Sequence, residues 1–293
     1  MNANVSCLSC LLSKAEKSLR GYPDEDKKME CLREIMRCFY EKGHDHSAPY
    51  LACKSDAIVE KYFGFPVDWP AVKHKYNQYM LGKEALIEAR IRQSEDVLAA
   101  CVMFVCAGNY IDFSAVAQVD DAILDKLLEK AAAEQPDPQE LRRFREDLEK
   151  AKTLVYLTDN CGEIVLDKIF VKLLREMYPA LQITVVVRGG VAVNDATLED
   201  AREVGMTDIE PCLGNGTSIP STVLGEISPS VEALLCEADV IIAKGQGNFE
   251  GMYGDGLNPY FMFLCKCELF VRRFGLEQFA TVFAREDRIQ MIF

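Results

Sequence analysis

The chain has 293 residues, 49% of them hydrophobic and 27% charged, and a formal net charge of −13. This length allows one large or two modest units with a substantial core, and the balance is that of a globular chain. The acidic surplus argues against nonspecific nucleic-acid binding, which needs a basic surface, and no apolar run approaches the roughly 20 residues that cross a bilayer.

The first residues, MNANVSCLSCLLSKAEK, carry no basic stretch ahead of their short apolar run, so no signal peptide is expected. Twelve cysteines are many, but their spacing suggests no disulfide framework. Most fall inside apolar patterns, where a free thiol behaves as a small hydrophobe. A reducing, cytoplasmic compartment is the expectation. Cys7-Leu8-Ser9-Cys10 is a lone CxxC. It is either half of a zinc site, completed from Cys31, Cys38, Cys53, His44 or His46, or a pair of free thiols.

Residues 1–150 read as a helical region. Apolar residues recur at helical spacing over 29–39, and 81–106 reads as one long helix. The second half of that helix is almost wholly apolar, which predicts a central buried helix. Pro66, Pro70, Pro136 and Pro138 mark breaks, the last two opening a charged helix over 138–150. Asn109 and Asp112 stand where the buried helix emerges, able to reach a crevice or merely to end the helix in a turn.

Residues 151–293 alternate in type. Strands are expected at 154–157, 183–187, near 209–212 and at 240–243, with helices at 163–177, 197–204 and 230–237. Segments 260–265 and 279–283 complete the sheet. The pattern predicts an α/β fold, a helical N-terminal region packed on a mainly parallel, doubly wound sheet. Ligands of such sheets bind along the carboxyl ends of the strands.

Three strands end in polar residues there. After the first come Asp159 and Asn160, a hard carboxylate and an amide oxygen suited to Mg²⁺ or Mn²⁺, or simply the cap of the next helix. After the second come Arg188-Gly189-Gly190, able to bind an anion through guanidinium and backbone N–H groups. Asn194-Asp195 follow, with the same choice between ligand and cap. After the third comes KGQGNFEG, whose glycine spacing fails the dinucleotide fingerprint. Here Lys244 is placed to neutralise a phosphate, and Asn248 and Glu250 to orient hydroxyls or water.

TDNCGEIVLDK, RGGVAVNDATLEDA, KGQGNFEG and GNYIDF together resemble the signatures of the damage-control phosphatase family, over nearly the whole length. The short chain and its CxxC resemble the stand-alone prokaryotic-type branch. The resemblance implies a Rossmann-like α/β region behind a helical N-terminal region, and metal-dependent phosphatase activity on sugar phosphates and related phosphometabolites. It places the metal on Asp159, Asn160 and Asp195 and the phosphate-binding lysine on Lys244. Cys161 stands where a small residue such as alanine is more usual, which sets a thiol beside the metal.

The expected function is therefore hydrolysis of small phosphorylated metabolites with Mn²⁺, Mg²⁺, Co²⁺ or Ni²⁺. Asp159, Asn160 and Asp195 would be catalytic. Lys244, Arg188, Asn194, Asn248, Glu250, Asn109 and Asp112 would bind substrate, with water as nucleophile and neither nucleic acid nor membrane as partner. Two other readings stay open: a methyltransferase using S-adenosylmethionine, and a non-catalytic metabolite sensor.

Overall fold

The computed structural model describes residues 1–64, 67–111 and 121–292; Pro66 and Asp112 lie outside them. Three helices, α1 (Val5–Leu19), α2 (Glu25–Lys42) and α3 (Ala48–Phe63), come first. Asn4 and Asp24 cap the first two, their side chains accepting from Cys7 and Lys27 N–H groups. The three helices close on a small core of Cys31, Ile35, Phe39, Leu51 and Val59, which Ile219 joins from the α/β part.

The long helix expected over 81–106 is two: α4 (Trp69–Arg92) and α5 (Val97–Gly108). Asp96 causes the break, its carboxylate accepting from Ala99 N–H at 3.1 Å as the N-cap of α5. As expected, α5 is buried, from Leu98 through Gly108. α6 (Asp121–Ala133) and α7 (Pro138–Lys150) follow.

The sheet holds β1 (Thr153–Leu157), β2 (Gln182–Val187), β3 (Cys212–Gly214), β4 (Val240–Lys244), β5 (Tyr260–Leu264) and β6 (Thr281–Arg285). Between them run α8 (Glu163–Met177), α9 (Leu198–Glu203), α10 (Pro229–Glu237), α11 (Gly245–Met252) and α12 (Glu268–Phe274). The strand order is β3-β2-β1-β4-β5-β6, parallel except for β6. β3 starts later than expected because the N–H groups of Ile209 and Glu210 turn back onto Met206 O.

Successive strand residues face opposite sides of a sheet. Tyr156, Val185, Ile242 and Met262 pack with α5 and α8, while Val155, Val186, Ile241, Ala243 and Phe261 pack with Phe249 and Phe270. The first of these cores includes residues from both sides of position 150. Among the described residues no helix is long and apolar enough to cross a membrane.

One topological fact places the site. From β1 the chain moves outward to β2 and β3, then returns to lay β4 on the other side of β1. The strand order therefore reverses between β1 and β4, and the loops leaving their carboxyl ends part to open a crevice. Asp159 and Asn160 stand at that end of β1.

Candidate active site

The helix-capping alternatives for the acidic turns do not hold. α8 has Gly162 as its N-cap, with no side-chain cap. α9 is capped by Thr197 and Asp200 in a reciprocal capping box. Asp159, Asn160, Asn194 and Asp195 are all buried, and their side chains are used elsewhere.

The two turns are joined edge to edge. Asn160 and Asp195 form an antiparallel bridge. Ala196 N–H donates to Asp159 O at 2.7 Å and Cys161 N–H to Asn194 O at 2.8 Å. Two amides converge on one oxygen of Asp159: Asn109 and Asn160 donate to Oδ2 at 2.9 and 2.6 Å. Asn160 Nδ2 also reaches Glu163 Oε2 at 3.0 Å. With its N–H groups on these two carboxylates, the amide carbonyl is turned away from both.

Arg188 spans the acidic pair. Its Nε donates to Asp195 Oδ2 at 2.6 Å, and its Nη2 lies 3.5 Å from Asp159 Oδ1. Nη1 is held by Asn248 Oδ1 at 3.0 Å and Thr222 Oγ1 at 3.4 Å. Nη2 is buried and has no hydrogen-bond partner among the described residues. A buried guanidinium nitrogen left this way is a site for an anionic oxygen.

Lys244 requires a correction. Its ammonium is fully buried and spends three N–H donors on Glu163 Oε1 (2.6 Å), Asp167 Oδ1 (2.8 Å) and Val105 O (3.1 Å). It is the counter-ion of a buried carboxylate pair and has no donor left for a phosphate. Burial alone would lower its pKa, but Asp167 and Glu163 raise it above the ordinary lysine value. Asp167, held also by Tyr156 OH at 2.7 Å, is pushed up to about 6 by burial, against the pull of Lys244.

Other expected binders take supporting positions. Asn248 is buried and donates to Thr158 O and Lys244 O, so it braces Arg188. Asn194 donates to Ile111 O at 3.0 Å and anchors its loop. Gly189 N–H, expected to approach an anion, is taken by Asn215 Oδ1 and Thr217 O. Glu250 lies apart from the acidic pair, accepting from Gln246 while its carbonyl holds the Met1 amino group. The KGQGNFEG segment is helix α11, not a glycine loop. Gly245, with φ +83°, lets α11 start tight against the site, where an added Cβ would lie 2.0 Å from Asp159 Oδ2.

Glu163, Asp167 and Lys266 were not foreseen. Lys266, just past β5 and buried, donates to Asn109 O at 2.6 Å, while the same residue's amide reaches Asp159. Burial, and then the nearby Asp200, pushes the Cys161 thiol above its ordinary pKa. Burial raises the Cys7 and Cys267 thiols above their ordinary pKa. Among the described residues no group of three His, Cys, Asp or Glu side chains is arranged to hold a metal ion.

Residues 3–282 match the model of the damage-control phosphatase ARMT1-like domain. The chain is 27% identical over 288 residues to the damage-control phosphatase of Pyrococcus horikoshii, covering 97% of this chain and 98% of that one. It is 29% identical over 282 residues to the damage-control phosphatase of Archaeoglobus fulgidus, covering 94% and 96%. Its fold matches the crystal structure of a DUF89 family protein from Pyrococcus horikoshii with a TM-score of 0.82 at 23% identity, over 98% and 99% of the two chains. Fold, motifs and family model agree, and the chain belongs to the damage-control phosphatase ARMT1-like family.

Proposed function

We propose that this phosphatase hydrolyses small phosphorylated metabolites, sugar phosphates among them, with a divalent metal held by Asp159, Asn160 and Asp195. The observation that carries the reading is Arg188: one guanidinium laid across two buried carboxylates, with a nitrogen that still lacks a hydrogen bond. Two carboxylates and an amide oxygen are the hard donors that Mg²⁺ or Mn²⁺ accepts while keeping several waters. A group of three acidic or thiolate ligands is not needed for that. The donor set fits the ion.

When bound, such an ion supplies Lewis-acid polarisation of a phosphoryl oxygen. The remaining work falls to the protein. Arg188 Nη2 takes a phosphate oxygen, and Asn248 and Thr222 fix the plane from which it does so. Lys266 supplies a second cation on the Asn109 side. Asn109 and Asn160, whose amides also donate to Glu163, lock the Asp159 carboxylate in one orientation, which would lower the cost of positioning for an in-line displacement.

The test is phosphate release from p-nitrophenyl phosphate and a sugar-phosphate panel, using chelator-stripped protein with Mg²⁺, Mn²⁺, Co²⁺ or Ni²⁺ restored singly. Turnover should return with metal and vanish in Asp159→Ala, with the fold retained by circular dichroism. Folded protein that no metal activates, or an Asp159→Ala variant that keeps parental turnover, overturns the proposal.

A further inference from the structure

The turn bearing Asp159 and Asn160 is held from outside its own helix. Gly162, with φ +70°, opens α8 without a side-chain cap. Its N–H donates to Asn77 Oδ1 at 2.7 Å, on α4 and 85 positions away in sequence. An added Cβ on Gly162 would press on Tyr76 and Ile111 at 3.1–3.2 Å, so α4 lies directly against this turn.

The other end of the Asn77 amide faces the second turn. Nδ2 donates to Asp200 Oδ1 at 3.0 Å and to Glu203 Oε2 at 2.8 Å. Asp200 Oδ2 accepts from Thr197 N–H and Thr197 Oγ1 at 2.8 and 2.7 Å. Lys73, one turn earlier on α4, closes on the same carboxylate at 2.5 Å. Thr197 stands two residues beyond Asp195. Asn77 itself is fully buried.

We infer that Asn77 is a positioning residue for the metal site, one amide that fixes the Asp159–Asn160 turn relative to the Asp195 turn. The inference rests on the metal-dependent reading above. The backbone bonds between the turns set which residues lie opposite each other; Asn77, bonded to Gly162 beyond one turn and to Asp200 beyond the other, holds the two at a fixed spacing from α4. Loss of a group hydrogen-bonded directly to metal ligands typically weakens binding about 10- to 100-fold; Asn77 acts one bond further out, through Gly162 and Asp200, so the low end of that range applies. A residue acting only through geometry should raise the Mn²⁺ concentration needed for half activation, yet leave turnover at saturating Mn²⁺ close to parental.

The experiment titrates the full chain with Mn²⁺ and follows the paramagnetic resonance signal of the free aqua ion, which reports binding without turnover. Asn77→Ala removes both contacts. Asn77→Asp keeps an acceptor for Gly162 but turns like charge toward Asp200 and Glu203, and it decides the matter if the alanine variant fails to fold. Val59→Ala, in the separate helical core, controls for general loosening. Both Asn77 variants should bind Mn²⁺ about 10-fold more weakly or worse, with the control unchanged. Parental affinity in the folded Asn77 variants, or an equal loss in Val59→Ala, overturns the inference alone. A parent protein that binds no Mn²⁺ overturns the metal reading and the inference with it.

Discussion

Replacing Lys244 with methionine separates a phosphate ligand from a buried counter-ion. Methionine is unbranched and fills the channel of the lysine stem without its charge. The change leaves Glu163 and Asp167, which now meet the ammonium at 2.6 and 2.8 Å, inside the protein with no cation between them. Removing one partner of a buried ion pair costs about 3–5 kcal/mol. The lower end applies, about 3 kcal/mol, because Asp167 is already raised to about 6 and relieves the repulsion by taking a proton. Urea unfolding at pH 7.5, followed by circular dichroism, measures this directly. A second variant, Lys244→Met with Asp167→Asn, removes one of the stranded charges and should recover more than half of the loss. A Lys244→Met protein within about 1 kcal/mol of the parent, with KM for phosphate substrates raised instead, would refute the counter-ion reasoning; surface substitutions behave that way, buried ion-pair losses do not.

Two further outcomes follow, one from the same cluster and one from the glycine packed on Asp159. Because the folded pKa of Asp167 lies above its unfolded value of 3.8, the folded state holds a proton that the unfolded state has released between about pH 4 and 6. Stability from this group is thus present at the acid end and lost as pH rises through that window, by at most about 3 kcal/mol. The unfolding free energy of the parent minus that of Asp167→Asn should therefore fall between pH 4.5 and pH 7; a constant difference would refute the assignment. At Gly245, alanine would place a Cβ 2.0 Å from Asp159 Oδ2 and force φ +83° on an L-residue. Displacing a reacting group by about 1 Å costs roughly 100-fold in rate. Gly245→Ala should lose at least that much phosphate release while α11 remains helical, and parental turnover would show that Asp159 is not packed against this glycine.

Much of this architecture was legible because strand ends are abrupt. The apolar runs before Asp159, Arg188 and Lys244 stop within a residue, and the structure ends β1, β2 and β4 there. The split between α4 and α5 was missed because apolar spacing continued across it, although Ser94-Glu95-Asp96 before an apolar run is a start signal. The direction of Lys244 was missed for a different reason. Position at a strand end suggests position in the crevice, whereas alternation puts Lys244 on the same face as Ile242, toward α5 and α8. Glu163 and Asp167 carried the complementary signal: two carboxylates four apart, one above the other on a helix, with Ile164, Val165 and Leu166 buried between them. Such a pair demands a buried cation. Asn77 had no comparable signal, since its partners are 85 and more than 120 positions away.

The charge balance of the site explains why a phosphatase can be built inside an acidic protein. Glu163, Asp167 and Lys244 are closed on one another beneath the crevice. The layer above them, among the described residues, sets Asp159 and Asp195 against Arg188 and Lys266, two negative charges against two positive ones. Over the described residues these charges balance, and the chain as a whole carries −13, so a phosphate dianion gains little by entering alone. On the proposed reading a divalent ion makes the same layer doubly positive within the reach of a Debye length of about 8 Å. Attraction then exists only in the metal-loaded protein, and it acts where charge develops on the transferred group. A sensor of phosphorylated metabolites would gain nothing from this arrangement, because two carboxylates beside Arg188 and Lys266 weaken anion binding unless an ion offsets them. The same two carboxylates are what a metal-dependent hydrolase requires.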